Sequence, residues 1–292
     1  MAPRSLLPTE PPETQAKINH LKSETISSSV VDAALLLVCF QILFALAAAL
    51  LQRYILPSSY RKTNLYKQNA TTLNERHHIS FVYHHIAAVL FPVILIFGAA
   101  PAIRFTCGSA ELGTVLFTDR KITVGDTLLV ISLLYSAYYL FEVIFRAKFI
   151  SIIALAHHIG LLLVTQTALV LVADPLEHGN ASAEFYMCMI WGMFDIATEL
   201  PIHYTMILWR LKRGSHRLCY YMACSCAVWV TTMSLGELAV TTYLLNQSWN
   251  QWELIWRVIT PLIFSLWICT QLYGAKIFMG MALQERRMLK LS

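Results

Sequence analysis

Residues 149–173 read FISIIALAHHIGLLLVTQTALVLVA, a run without one Asp, Glu, Lys or Arg, interrupted in its first half by the adjacent histidines His157 and His158. A bilayer core needs roughly 20 apolar residues in a helix, so this segment reads as a membrane span with two imidazoles inside it. Outward from it, six further runs qualify: about 30–52, 79–101, 124–145, 184–209, 218–245 and 252–278. Composition points the same way. Of 292 residues, 57% are hydrophobic and 13% charged, against about 25% charged in a soluble domain. So few charges cannot coat a water-exposed surface. The expected fold class is an all-α polytopic membrane protein with seven transmembrane helices.

The net charge of +5 does not indicate nucleic-acid binding, because the basic residues sit in short loops between apolar runs, where they report topology. Loops one, three and five and the C-terminal segment from Lys276 carry 15 Lys and Arg, against 6 on the other side and in the N-terminal tail. The positive-inside rule then puts the C-terminus in the cytosol and the N-terminus in the lumen. Residues 1–29 are rich in Pro, Ser, Thr and charge and read as a disordered tail. Residues 30–74 hold the first span and a cytosolic loop, 75–280 the remaining six spans, and 281–292 a short basic cytosolic tail. Most of the seven cysteines fall inside apolar runs and suggest neither a disulfide framework nor a zinc site. Of the sequons at Asn69, Asn180 and Asn246, only Asn180 falls in a usable place by this topology.

Ionisable groups within a bilayer are costly and are functional candidates by default. The second span holds His84 and His85, the third Glu142 after Tyr138 and Tyr139, the fourth His157 and His158, the fifth Asp195, Glu199 and His203, and the sixth Glu237. Counted from the cytosolic span ends at 1.5 Å per residue, His84, His85 and His203 lie roughly 8–9 Å deep, Tyr139 and Glu142 roughly 5–9 Å, His157 and His158 roughly 12–14 Å, and Glu199 about 15 Å. Asp195 comes out deeper, at about 21 Å. Four spans thus converge on the cytosolic half of the membrane. Asp195, Glu199 and His203 share one face of the fifth helix at i, i+4 and i+8, and Pro201 within that stripe frees a backbone carbonyl. Paired histidines also serve as interhelical glue, but two pairs with an acidic stripe favour a site. Glu237 and Arg257 fall at one level near the lumenal side and read as a structural ion pair. Arg146, at a span end, reads as snorkelling or topogenic, and the basic fifth loop from Arg210 to Arg217 as topogenic first, with receipt of coenzyme A phosphates as the alternative.

An imidazole beside a carboxylate, shielded from water, is a general base or nucleophile whose tautomer the carboxylate fixes. His157 or His158 with Asp195 or Glu199 would form such a dyad, with His84, His85, Tyr139, Glu142 and His203 around the substrate. An apolar cavity open to the cytosol suits acyl transfer from a coenzyme A thioester. Metal chemistry is not expected, since His157 and His158 are about 100° apart on a helix rather than i, i+3 or i, i+4.

The string Tyr138-Tyr139-Leu140-Phe141-Glu142, a short basic turn with Arg146 and Lys148, and then Ala156-His157-His158-Ile159 resembles the central motif of the TLC-domain family, whose superfamily includes the ceramide synthases. Phe194-Asp195-Ile196-Ala197-Thr198-Glu199-Leu200 looks like the family's following acidic segment. The stretch from Asn74-Glu75-Arg76 through Ser80-Phe81-Val82-Tyr83-His84 is similar to a segment near the start of the domain in its smaller members. Together these cover roughly residues 75 to 280. The chain lacks the Asp usual before the His pair and has Pro-Ile-His after Glu199.

The resemblance implies a six-helix bundle around a lipid-accessible cavity, after one preceding span, in the endoplasmic reticulum. It implies acyl transfer from acyl-CoA to a lipid amine or other acceptor, with His157 and His158 as the reactive pair and Asp195 supporting them. The second acidic position falls on Thr198 or Glu199. No bound cofactor is expected; acyl-CoA is a co-substrate, membrane lipids are partners, and a homodimer is compatible with the sequence. The alternative is a non-catalytic protein that binds lipid or regulates membrane composition, as some family members are thought to do. A third reading is a fatty-acid elongase, because Phe81-Val82-Tyr83-His84-His85 is similar to that family's His-x-x-His-His box.

Overall fold

The computed structural model describes residues 27–59, 75–117, 122–173, 181–251 and 254–291. They form α1 (Ser27–Leu50), α2 (Glu75–Thr106), α3 (Val124–Phe145), α4 (Ile152–Ala173), α5 (Ala181–Leu211), α6 (His216–Ser248) and α7 (Leu254–Leu291). A π turn, Leu51–Ile55, carries α1 into one further turn, Leu56–Ser59. The tail over 1–26, the loop over 60–74 and the sequons at Asn69 and Asn180 lie outside the described residues.

Six helical stretches are long and apolar enough to cross a membrane, within α1, α2, α3, α4, α6 and α7. Asp195, Glu199 and His203 lower the hydropathy of α5, which is not among them. Large apolar side chains stand exposed along α1 (Leu35, Val38, Ile42, Leu43, Leu46) and α2 (Val89, Ile96, Phe97). Faces of that size would drive aggregation in water; in lipid they are the ordinary outer surface. The protein is an all-α polytopic membrane protein.

Just past the end of α2 stands Gly108, whose φ of +69° allows the amides of Ser109 and Ala110 to bond back to the Arg104 carbonyl. A small hairpin, β1 (Val115–Phe117) with β2 (Ile122–Thr123), leads into α3. Nothing in the apolar periodicity signals this hairpin. Thr123 then caps α3: its hydroxyl accepts from the Asp126 amide at 3.1 Å, and the Asp126 carboxylate accepts from the Thr123 amide.

Short connections leave sequence neighbours antiparallel. Helices α2, α3, α4 and α5 close one ring, and α4, α5, α6 and α7 a second that shares α4 and α5 with the first. Helix α1 packs on the outside against α3, where the Gln41 amide donates to the Ala137 carbonyl. The basic stretch 281–291 is the helical end of α7, held to α6 by His216 Nδ1 at 2.5 Å from Glu285 Oε2. No helix breaker follows Gly280, so the helix runs on past the apolar segment.

A proline inside a helix leaves the carbonyl four residues earlier without its usual donor. Two of these carbonyls are met by aromatic donors from neighbouring helices. Pro201 frees the Ala197 carbonyl, which accepts from Trp229 Nε1 of α6 at 2.8 Å. Pro92 frees the Ala88 carbonyl, which accepts from the Tyr204 hydroxyl of α5 at 2.9 Å. In lipid no water can substitute for these donors. Trp229→Phe is therefore expected to lower stability by about 1–3 kcal/mol, read as a lower melting temperature in detergent; an unchanged melting temperature would show that the carbonyl finds another donor.

Glu237 does not pair with Arg257. Its carboxylate, fully buried, accepts from Gln271 Nε2 at 2.8 Å, and Ser234 donates to Gln271 Oε1 at 2.6 Å. Arg257 donates to the Asn250 carbonyl at 3.2 Å. Gln271 stands 14 residues along α7 from Arg257, about 21 Å at the helical rise, so Glu237 and Arg257 lie at different levels.

Candidate active site

Two buried carboxylates anchor a polar centre near the end of the bundle where α2, α4 and α6 begin. Glu142 of α3 is 1% exposed. The Tyr83 hydroxyl donates to its Oε2 at 2.6 Å, Arg146 one turn later ion-pairs with its Oε1, and His158 Nε2 faces the same Oε1 at 3.3 Å. The Arg146 guanidinium lies over the Tyr83 ring, 4.7 Å from its centre. Burial works against the Arg146 charge, but the neighbouring Glu142 carboxylate restores it and leaves the guanidinium pKa raised. With Glu142 held as a carboxylate, His158 Nε2 carries the proton, and its Nδ1, buried and without a hydrogen-bond partner, carries the lone pair.

Asp195 of α5, also 1% exposed, is the second anchor. The hydroxyls of Tyr135 and Tyr139, one helical turn apart on α3, both donate to its Oδ2, the latter at 2.6 Å. One turn further along α5, Glu199 Oε2 stands 3.5 Å from His203 Nε2, and His203 Nδ1 meets His84 Nδ1 of α2 at 2.8 Å.

His157 points to a different helix. Its Nδ1 lies 3.2 Å from Thr270 Oγ1 of α7, and the Thr270 hydroxyl donates to the Trp267 carbonyl at 2.6 Å. A hydroxyl has one proton, so Thr270 must accept from His157 Nδ1–H, which leaves the Nε2 lone pair free. The ring is wedged edge-on against Trp267, at 4.8 Å between centres. A ring nitrogen of His157 and carboxylate oxygens of Asp195 and Glu199 all lie within 4.8 Å of one another, the one group of this kind among the described residues.

Glu142, Asp195, Glu199, His84, His157, His158 and His203 line a cavity of about 480 Å³, with Arg76, His77, Arg146 and Arg210 also in its lining. Arg210 donates to Ser80 at 2.9 Å, joining the end of α5 to the start of α2. A second cavity of about 250 Å³ lies within the ring of α2 to α5, lined almost wholly by apolar side chains such as Ile94, Leu128, Leu161 and Phe185. Tyr135 borders this second cavity with its ring while its hydroxyl holds Asp195 in the first, and Trp267 borders it while packing on His157.

Of the residues expected at the site, His157, His158, Asp195, Glu199, His84, Glu142 and His203 line the polar cavity. Tyr139 is wholly buried and acts through Asp195. His85 is not brought in: its Nδ1–H donates to the Phe81 carbonyl at 2.8 Å and its ring packs on Phe81. The carboxylate beside His158 is Glu142, not Asp195 or Glu199, because α4 turns that residue towards α3. Tyr83, Tyr135 and Thr270 were not singled out by spacing, and Arg146 is a site residue rather than a topogenic charge alone. The i, i+4 pairs Tyr135/Tyr139 and Glu142/Arg146 were the available signal. Compared with models of known protein families, with curated proteins and with solved structures, the chain matches none.

Proposed function

We propose that the protein is a seven-span acyl-CoA-dependent acyltransferase of an internal membrane, the endoplasmic reticulum, with its N-terminus lumenal and its C-terminus cytosolic. The observation that carries this reading is the His158–Glu142 dyad, whose free imidazole nitrogen is buried in a residue that lines the polar cavity. Arg76, His77 and Arg210 sit on the side that the positive-inside rule assigns to the cytosol, where an anionic coenzyme A thioester arrives. In the proposed step, His158 Nδ1 takes the proton of a lipid amine or alcohol as its N or O bonds to the thioester carbonyl carbon. The C–S bond breaks, and the imidazolium returns the proton to the departing thiolate. The likeness of Tyr138–Glu142, the His pair and Asp195 to the TLC-domain motif supports a lipid acceptor of the sphingoid class.

The test is thiol release from long-chain acyl-CoA by the purified protein with a panel of sphingoid amines and lipid alcohols. Acceptor-dependent release is expected. Folded protein that releases nothing across the panel would overturn the reading in favour of lipid binding without catalysis. The apolar cavity beside the site favours that second reading, and mass spectrometry of copurifying lipid would identify its ligand.

A further inference from the structure

We propose that His157, Asp195 and Glu199 form a binding site for one divalent transition-metal ion of the zinc class. Their ligand atoms converge from α4 and α5 to within 4.8 Å of one another. Ligands roughly 2.0–2.2 Å from a tetrahedral ion stand about 3.4 Å apart, a contraction that small side-chain rotations supply.

The surroundings of each ligand match what a metal requires. A ligating histidine donates its other ring N–H to a fixed acceptor, which sets the tautomer and aims the free nitrogen. Thr270 performs this for His157, and its own proton is committed to the Trp267 carbonyl. Ligating carboxylates are themselves hydrogen-bonded; Asp195 Oδ2 takes both tyrosine hydroxyls, leaving Oδ1 for an ion. Glu199 Oε2 is buried without a hydrogen bond, and so is the adjacent His203 Nε2. Arg146 is engaged by Glu142. Two carboxylates at this spacing in a medium of low dielectric repel each other unless a cation or a shared proton lies between them.

An imidazole with two carboxylates suits zinc and its first-row neighbours, whereas calcium and magnesium take all-oxygen sets. Three protein ligands leave a fourth position open, the pattern of catalytic rather than structural metal sites. The site stands on this geometry alone. Its role rests on the proposed acyl transfer: an ion there polarises the thioester carbonyl while His158 acts as base.

The full-length protein in detergent is equilibrated with Zn²⁺, passed into metal-free buffer and analysed by plasma mass spectrometry. The expected content is about one zinc per chain, and Co²⁺ in its place gives the intense visible bands of a low-coordinate site. Glu199→Gln, nearly isosteric, and His157→Asn lose the ion, Thr270→Val weakens binding by about 10–100-fold, and His85→Ala retains it. Wild-type protein that holds no zinc and shows no Co²⁺ band overturns the proposal and leaves a proton shared between the carboxyls. Stoichiometric zinc indifferent to Glu199→Gln overturns it too, placing the ion elsewhere. Because metal content is read without turnover, a protein that binds zinc but transfers no acyl group refutes the acyltransferase and not the site.

Discussion

His158→Ala lowers acceptor-dependent thiol release by about 10²–10⁴-fold, the contribution of a positioned general base. The loss is expected because His158 alone of the five cavity histidines pairs one ring nitrogen with a cation-bound carboxylate and leaves the other buried and unpartnered. Glu142→Gln reduces the rate in the same direction, since an amide no longer fixes the tautomer or stabilises the imidazolium. His85→Ala leaves the rate unchanged, its ring being occupied with Phe81. Comparing initial rates for the three variants checks the assignment. Release by His158→Ala at the wild-type rate would remove the dyad from the reaction and turn attention to His157.

Glu142→Ala is expected to destabilise the bundle by about 3 kcal/mol, the lower end of the cost of stripping one partner from a buried ion pair. The lower end applies because the Arg146 side chain keeps a quarter of its exposure while Glu142 keeps almost none. The substitution also orphans the Tyr83 hydroxyl, so α2, α3 and α4 lose their common anchor at once. Replacing Glu142 and Arg146 together by apolar residues should cost less than Glu142→Ala alone, because no uncompensated charge remains. Unfolding of the single and double variants in detergent measures the difference. A double variant as unstable as the sum of its parts would show that the pair contributes shape rather than charge.

How legible these features were depends on what each one is made of. Membrane helices announce themselves through apolar length, and α1 to α4, α6 and α7 fall where the runs 30–52, 79–101, 124–145, 149–173, 218–245 and 252–278 put them. Depth was legible too, because helical rise converts residue number into level; hence Glu142, His158, Glu199, His203 and His84 line one cavity. Azimuth was not. His85 differs from His84 by one step of about 100° that takes it out of the site, while Glu237 meets Gln271, 14 residues and about 21 Å along α7 from Arg257, so counting from span ends failed for that pair. Hydroxyl partners such as Tyr83 and Thr270 carry no charge and no distinctive spacing. Within an apolar helix they read as packing until their neighbours are known. The ligand set of His157, Asp195 and Glu199 spans two helices, so no single-helix box reveals it.

The proline carbonyls bear on how the chain is made. When α2 leaves the translocation machinery, the Ala88 carbonyl has lost its partner to Pro92, and the Tyr204 hydroxyl that will satisfy it lies 116 residues downstream. The Ala197 carbonyl waits for Trp229, only 32 residues ahead and on the very next helix. Synthesis thus completes the α5–α6 contact almost as soon as it begins, whereas α2 stays an unfinished helix until most of the bundle has been translated. A nascent chain halted before Tyr204 displays an unpaired backbone oxygen within hydrocarbon, a chemical mark that separates unfinished molecules from finished ones.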